Sequence, residues 1–102
     1  MKTKIADRKM IFAKPGQEES IVRISIGMPY KVDEVQWSCP VALDGIYEKL
    51  ADISGTGSFQ ALMLAQKLLR TLLRGLVEDG GQLLSFDERK DVDIDALFDS
   101  GI

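Results

Sequence analysis

The sequence predicts an α+β domain in which an antiparallel meander sheet of four to five strands carries one long amphipathic helix on one face. Three observations predict this class. Segments of alternating apolar and polar residues recur between residues 5 and 53, apolar residues at helical spacing fill residues 58–78, and turn-forming residues separate the segments. The chain has 102 residues, which suits one core, so we expect a single domain over residues 1–102.

The first two strands are predicted over residues 5–13 and 20–28. Pro15 and Gly16 separate them, because proline presets one turn conformation and glycine tolerates positive φ. In the second segment Val22, Ile24 and Ile26 alternate with polar residues, which is typical of a half-buried strand. We expect residues 29–34 to form a loop.

A third strand is predicted over residues 35–43 and a fourth over residues 46–53. Pro40 indicates an edge strand or a bulge, because proline cannot donate a hydrogen bond to a neighbouring strand. Asp44 and Gly45 predict a tight hairpin that places Leu43 opposite Ile46 and Cys39 opposite Leu50. Residues 46–53 also have some helical character, so strand and helix both stay open there.

The long helix is predicted from about residue 57 to residue 79. Its apolar stripe contains Phe59, Leu62, Ala65, Leu68, Leu69, Leu72, Leu73 and Leu76. Gly80 and Gly81 end it, since glycine supplies a left-handed C-terminal cap. Residues 82–86 form a short strand candidate that joins an edge of the sheet, and residues 87–102 form an acidic tail that we expect to dock in part.

Composition excludes several chemistries. The chain contains no histidine, so it cannot build a Ser-His-Asp or Cys-His site alone, and its one cysteine, Cys39, cannot form an intramolecular disulfide. No apolar segment approaches the length of a membrane span, and no signal peptide is evident at the start. We therefore expect a cytoplasmic protein that binds neither membrane nor nucleic acid and carries no cofactor.

Gly55 and Gly57, just before the helix, raise the possibility of a phosphate loop. The dinucleotide pattern fails because Gln60 stands where a third glycine is required, and the P-loop pattern fails for want of a lysine at the required position. A helix cap explains the segment better. Either Gly57 or Thr56 is the N-cap, and Gln60 contributes half of a capping box.

Two segments, "WSCPVAL" and "DISGTGSFQALMLAQKLL", resemble a family of short bacterial proteins of unknown function. Its members carry W-x-C-P and then G-x-D-S-x-Q-A-L-x-L-A at the start of a long helix. The resemblance spans residues 20–86 in layout and implies an α+β domain, but it brings no activity with it. The chain departs from the pattern at Gly57, where the family has Asp, so a weaker cap is expected there. The matching residues are Trp37, Cys39, Pro40, Gly55, Ser58, Gln60, Ala61, Leu62, Leu64 and Ala65.

Charge is distributed unevenly along the chain. Residues 1–76 hold 11 basic and 8 acidic side chains, whereas residues 77–102 hold 2 basic and 8 acidic ones. On the helix, Lys67, Arg70 and Arg74 form a basic stripe that is a candidate surface for a partner, unless it is only a solvated face. A third possibility is that the acidic tail of the chain itself folds back onto this stripe.

Two further sets of side chains invite a chemical interpretation. Cys39 could be a reactive thiol, but its place in a strand favours a buried and inert one. Asp91, Asp93 and Asp95 suggest calcium, but an EF-hand loop needs Gly and Glu at positions that hold Ala96 and Ile102. We expect instead an acidic turn whose apolar residues contact the core, and no metal site.

The sequence favours a non-catalytic protein-interaction module over the other two classes of function. The alternative is a small-ligand-binding domain that uses the cleft where residues 54–58 meet the sheet, and an enzyme is the least favoured. The partner would be another protein or a second copy of the chain. Ile5, Ile11 and Ile21 occupy the sheet face that the helix does not cover, and the tail, a partner such as a second copy, or water would cover that face.

Overall fold

A computed structural model describes residues 3–98 and confirms the α+β class. Antiparallel strands form two sheets, and one long helix lies against both of them. The elements in chain order are β1 (Lys4–Ala13), β2 (Ser20–Gly27), β3 (Tyr30–Lys31), β4 (Gln36–Cys39), β5 (Val41–Asp44), β6 (Ile53–Thr56), α1 (Gly57–Glu78), β7 (Gln82–Ser85) and α2 (Ile94–Phe98).

The strands do not form one meander. The larger sheet has the order β5-β2-β1-β7, and the smaller sheet has the order β3-β4-β6. The short strand near residue 82 joins an edge of the larger sheet beside β1, as predicted. The two-residue strand Tyr30–Lys31 lies where a loop was expected, and it pairs with β4.

Pro40 divides the predicted third strand into two strands that belong to different sheets. β4 ends at Cys39 and lies at the centre of the smaller sheet, whereas β5 begins at Val41 and forms an edge of the larger one. Proline has no N–H to continue a ladder, but its carbonyl still accepts a hydrogen bond of 2.9 Å from the amide of Gly27. The segment therefore changes sheets at the residue that interrupts pairing.

The predicted hairpin between residues 35–43 and 46–53 is wrong. Leu43 pairs with Ile24 of β2, and Cys39 pairs with Ile53 instead of Leu50. Asp44 and Gly45 do form a turn, in which the carbonyl of Leu43 accepts hydrogen bonds from the two amides that follow Gly45. Beyond the turn the chain is neither strand nor helix until β6 begins, so no strand lies along the outer edge of β5.

Helix α1 begins and ends where the sequence predicts. Its fully buried face is a narrow line spaced by four residues, Ala61, Ala65, Leu69 and Leu73. Leu62, Leu68, Leu72 and Leu76 flank this line and are partly buried. Phe59 does not belong to the stripe: 75% of its surface is exposed, because it lies about 200° around the helix from Ala61.

A close approach between β6 and α1 fixes the start of the helix. A side chain at Gly55 would place its Cβ only 2.6 Å from the amide nitrogen of Ala61, so only glycine fits there. Thr56 is the N-cap, and its amide donates a hydrogen bond of 2.6 Å to Oε1 of Gln60. Gly57 has φ of +81°, which turns the chain directly from strand into helix.

At the C-terminal end of α1, Gly80 has positive φ. The amides of Asp79, Gly80 and Gly81 donate hydrogen bonds to carbonyls of the last helical turn, which confirms the predicted cap.

The core lies between α1 and the two sheets. No helix within residues 3–98 is long and apolar enough to span a membrane. The buried core residues are Met10, Phe12, Val22, Ile24, Cys39, Val41, Leu43, Ala61, Ala65, Leu69, Leu73 and Leu83.

We expect Gly55→Ala to destabilise the protein by about 1–3 kcal/mol, because the added methyl group must push the backbone of Ala61 away from β6. Gly75→Ala is the matched control. Nothing lies within 4 Å of a Cβ at Gly75, which is helical, so this change should stabilise the protein by up to about 1 kcal/mol. Urea unfolding of both variants measures the two shifts, and equal shifts in the same direction would contradict the close approach.

Leu69→Ala should lower the free energy of unfolding by about 2–5 kcal/mol, because Leu69 is fully buried at the middle of α1. Leu64, on the same helix, is more than a third exposed and serves as the control. Leu64→Ala should cost less than half as much when both are measured by chemical denaturation. A cost for Leu69→Ala no larger than that of the control would exclude the proposed buried face.

Candidate functional site

The basic stripe of α1 is contacted by the tail of the same chain. Nη2 of Arg70 lies 2.8 Å from Oδ1 of Asp95 in α2, and Arg74 contacts the same carboxylate oxygen. Lys67, the third residue of the stripe, is exposed one turn earlier on the helix. Of the three residues predicted as a partner surface, two are therefore engaged by the acidic tail, which was one of the possibilities left open.

The tail docks through apolar as well as ionic contacts. The amide of Val92 donates a hydrogen bond of 2.9 Å to the carbonyl of Leu83, which extends the edge of the larger sheet beyond β7. In α2, Ile94, Leu97 and Phe98 pack against the core. The tail was expected to dock in part, and Val92 and α2 contact the rest of the chain; the last four residues of the tail lie outside the described part of the chain.

The three aspartates that suggested calcium have separate partners. Asp91 accepts a hydrogen bond of 2.6 Å from Nε2 of Gln82, and Asp95 pairs with the two arginines. Oδ1 of Asp93 accepts from the amides of Asp95 and Ala96, so that it caps α2. Among residues 3–98 no group of three or more acidic or cysteine side chains is arranged to hold a metal ion.

Cys39 is buried at the end of β4, as predicted. Its Sγ donates to the carbonyl of Gly27 at 3.5 Å. Burial raises the pKa of the thiol, and the carboxylate of Asp52 raises it further. The thiol is therefore kept in its protonated form, which is a poor nucleophile.

A cleft of about 650 Å³ lies near Pro40, where the two sheets diverge. Four segments line it: the residue before β1, the chain after β2, the start of β5, and the residues that precede β6. The lining is mostly apolar and contains Met28, Pro29, Tyr30, Pro40, Val41, Ala42 and Leu50 together with Thr3, Glu48, Lys49 and Asp52.

One short hydrogen bond stands out among the polar groups of this cleft. The hydroxyl of Tyr30 donates to Oδ2 of Asp52 at 2.5 Å, and this bond together with partial burial raises the pKa of the tyrosine. Glu48 and Lys49 are exposed and form no ion pair with each other or with another residue between 3 and 98. The cleft thus combines an apolar lining with two free charges and one satisfied polar pair.

Sequence reasoning did not find this cleft. It predicted a loop over residues 29–34 and a strand over residues 46–53, and both segments contribute to the lining. The single sequence signal for the cleft is Pro40, since a proline within an alternating segment marks the point where one sheet ends and another begins. Residues 54–58, beside which a cleft was expected, do not line this opening, whereas residues 48–50 and Asp52 do.

A family model described as "Domain of unknown function (DUF6968)" matches residues 6–96. The match extends from β1 into α2, so the domain of this family includes both sheets, the long helix and the docked tail. No curated protein and no solved structure matches the chain. That this is the family with the W-x-C-P motif stays a prediction.

Asp95→Asn should loosen the tail, because it removes the carboxylate that both arginines contact. Amide hydrogen exchange over residues 92–98 should accelerate, while exchange in β1 and β2 stays unchanged. Glu88→Gln, which removes a carboxylate from an exposed pair with Lys90 in the same tail, is the control and should have no such effect. Unaltered exchange over residues 92–98 in Asp95→Asn would contradict ionic docking.

The same contact has a defined pH dependence. Arg70 and Arg74 hold the pKa of Asp95 below its ordinary value, so the pairing is fully present at neutral pH. It is lost as the pH falls through that lowered value, because the carboxylate then becomes protonated. Exchange over residues 92–98 in the wild type should therefore approach that of Asp95→Asn only in strong acid or in high salt, which screens exposed charges.

Proposed function

We propose that this chain, which belongs to the DUF6968 family of domains of unknown function, is a non-catalytic binding module for another protein and that the cleft beside Pro40 is its binding surface. The observation that carries the proposal is the cleft itself. Its lining is mostly apolar, as is the buried centre of protein interfaces, and its volume of about 650 Å³ can accept side chains of a partner. The other candidate surface, the basic stripe of α1, is engaged by the tail through Asp95.

The chemistry of the cleft favours binding over catalysis. Its aliphatic and proline side chains provide buried contact area but no nucleophile beside a general base. The raised pKa of Tyr30 keeps that hydroxyl protonated as a hydrogen-bond donor to Asp52. Cys39 is buried, and the chain has no histidine that could act as a base. These features support a site that holds a partner without changing it.

A small-molecule ligand is the second candidate, and the pairing of Tyr30 with Asp52 favours it. A metabolite with an amine or hydroxyl group could exchange hydrogen bonds with this pair while an apolar portion contacts Leu50. Thermal unfolding in the presence of a metabolite panel tests this alternative. A compound that raises the melting temperature of the wild type but not that of Tyr30→Phe would favour it over a protein partner.

The single buried cysteine supports a cytoplasmic location, where thiols stay reduced. Homodimerisation through the outer face of the larger sheet stays a prediction. On that face Ile11 and Leu84 are already buried within the chain, whereas Ile21 is exposed. Light scattering at high concentration would support a dimer if the mass doubles in the wild type and returns to that of one chain in Ile21→Lys.

A photo-crosslinking amino acid in place of Lys49 or Lys67 tests the proposed surface. Both lysines are exposed, but Lys49 lines the cleft and Lys67 lies on the basic stripe of α1. In cells that produce the protein, we expect a discrete adduct of higher mass from position 49 and none from position 67. An adduct from position 67 alone would place the partner on the helix and contradict the proposal.

A further inference from the structure

We propose that the partner contributes an extended backbone segment that pairs with the free edge of β5 at Val41. This inference rests on the proposed function, because it names the kind of segment that the cleft takes. β5 is an outer strand of the larger sheet, so β2 hydrogen bonds to one side of it only. Addition of a strand to such an edge is a common way of recognising peptides, since backbone bonds supply affinity and side-chain pockets supply specificity.

The register of β2 and β5 shows which backbone groups face outward. The amide of Gly27 donates to the carbonyl of Pro40, and hydrogen-bonded and non-hydrogen-bonded pairs alternate along an antiparallel ladder. Ala42 therefore bonds to β2, whereas Val41 and Leu43 direct their N–H and C=O groups away from it. The carbonyl of Leu43 confirms this direction, because it accepts hydrogen bonds from the turn outside the sheet.

Val41 offers an unused donor and an unused acceptor. Neither its N–H nor its C=O has a hydrogen-bond partner among residues 3–98, and only 5% of its surface is exposed. A backbone group that is shielded from water and left unbonded costs free energy, so a partner that satisfies both groups gains from doing so. Val41 also lines the cleft, so a segment bound there lies beside the edge of β5 that carries both groups.

The shape and charge of the cleft define the occupant. Residues 48–50 and Asp52 line the same cleft as β5, so a segment that pairs with this edge also contacts these residues. An apolar side chain of that segment would contact Met28 and Leu50. Glu48 and Asp52 outnumber Lys49, so a basic residue beside the apolar one complements the net negative charge. The occupant is thus an extended segment with adjacent apolar and basic residues.

The test uses random twelve-residue peptides displayed on phage and selected on the full chain, followed by synthesis of the selected sequences. We expect enrichment of peptides that contain an apolar residue next to Lys or Arg. In the tightest binder, each backbone amide is then methylated in turn. Methylation of the amide that donates to the carbonyl of Val41 should weaken binding about tenfold, and methylation of either neighbouring amide should change it less than about threefold.

Hydrogen exchange of the protein provides an independent measurement. In the free chain the amide of Ala42 should already be protected by β2, while that of Val41 exchanges faster. Saturation with the selected peptide should slow exchange at Val41 at least tenfold and leave Ala42 nearly unchanged. The inference of strand addition would be overturned if every N-methylated peptide bound with similar affinity and exchange at Val41 stayed unaltered.

Three substitutions in the cleft and one control on α1 test whether the peptide binds there. Leu50→Gln should weaken binding, whereas the control Val77→Gln, at an exposed position near the end of α1, should not. Glu48→Gln should weaken the binding of a basic peptide by about twofold to fivefold, and Lys49→Gln should strengthen it. The two changes shift the local charge in opposite directions. Equal changes in affinity for Glu48→Gln and Lys49→Gln would overturn the inference that the bound segment carries a basic residue.

The outcomes separate this inference from the proposed function. Peptides that depend on Leu50 but leave Val41 unprotected would overturn strand addition while the cleft remains a protein-binding surface. Failure of the library to yield any binder that is sensitive to Leu50→Gln would overturn strand addition too. In that case the crosslink from position 49 still decides the proposed function. A crosslinked adduct that consists of two copies of this chain would replace the partner with self-association.

Discussion

The structure depends on the contact between one narrow face of α1 and two separate sheets. The fully buried face consists of only four residues, two alanines toward the start of the helix and two leucines toward its end. The alanines allow a close approach to β6, where Gly55 lies directly against the backbone of Ala61. The leucines contribute more apolar surface to the core shared with the larger sheet. Since β6 continues into α1 without a loop, the smaller sheet and the helix are oriented together by a single backbone turn at Gly57.

The cleft follows from this arrangement. The smaller sheet is fixed to the helix by β6, whereas the strand that precedes Pro40 must also connect to the larger sheet. The two sheets therefore separate at Pro40. Residues 46–52 lead into β6 and do not pair with β5. An edge strand is left beside a mostly apolar opening, and the outward backbone groups of its Val41 have no partner among residues 3–98. The proposed binding surface is thus a consequence of how the core is assembled and not a separate insertion.

Local sequence patterns predicted the elements, and nonlocal pairing decided their arrangement. The helix and the first two strands were predicted within a few residues, because their periodicity and their terminal glycines act over short distances. The hairpin at Asp44–Gly45 was wrong because turn chemistry does not reveal that β2 competes for Leu43. Phe59 was assigned to the buried stripe on hydrophobicity alone, but its angle around the helix places it outside. The charge asymmetry did indicate that the tail could reach the arginines of α1. Apart from the break in pairing at Pro40, nothing in the sequence indicated the cleft, since its lining combines segments that are remote in the chain.

The central claim is that α1 joins the two sheets into one cooperative core. The most direct test compares two probes during equilibrium unfolding in urea. Trp37, the only tryptophan, lies in β4 and reports on the smaller sheet through its fluorescence, whereas far-ultraviolet circular dichroism is dominated by α1. One shared core requires that the two transitions have the same midpoint and the same slope. A fluorescence transition at clearly lower urea, with the helix signal intact, would show that the smaller sheet unfolds separately and would contradict this account.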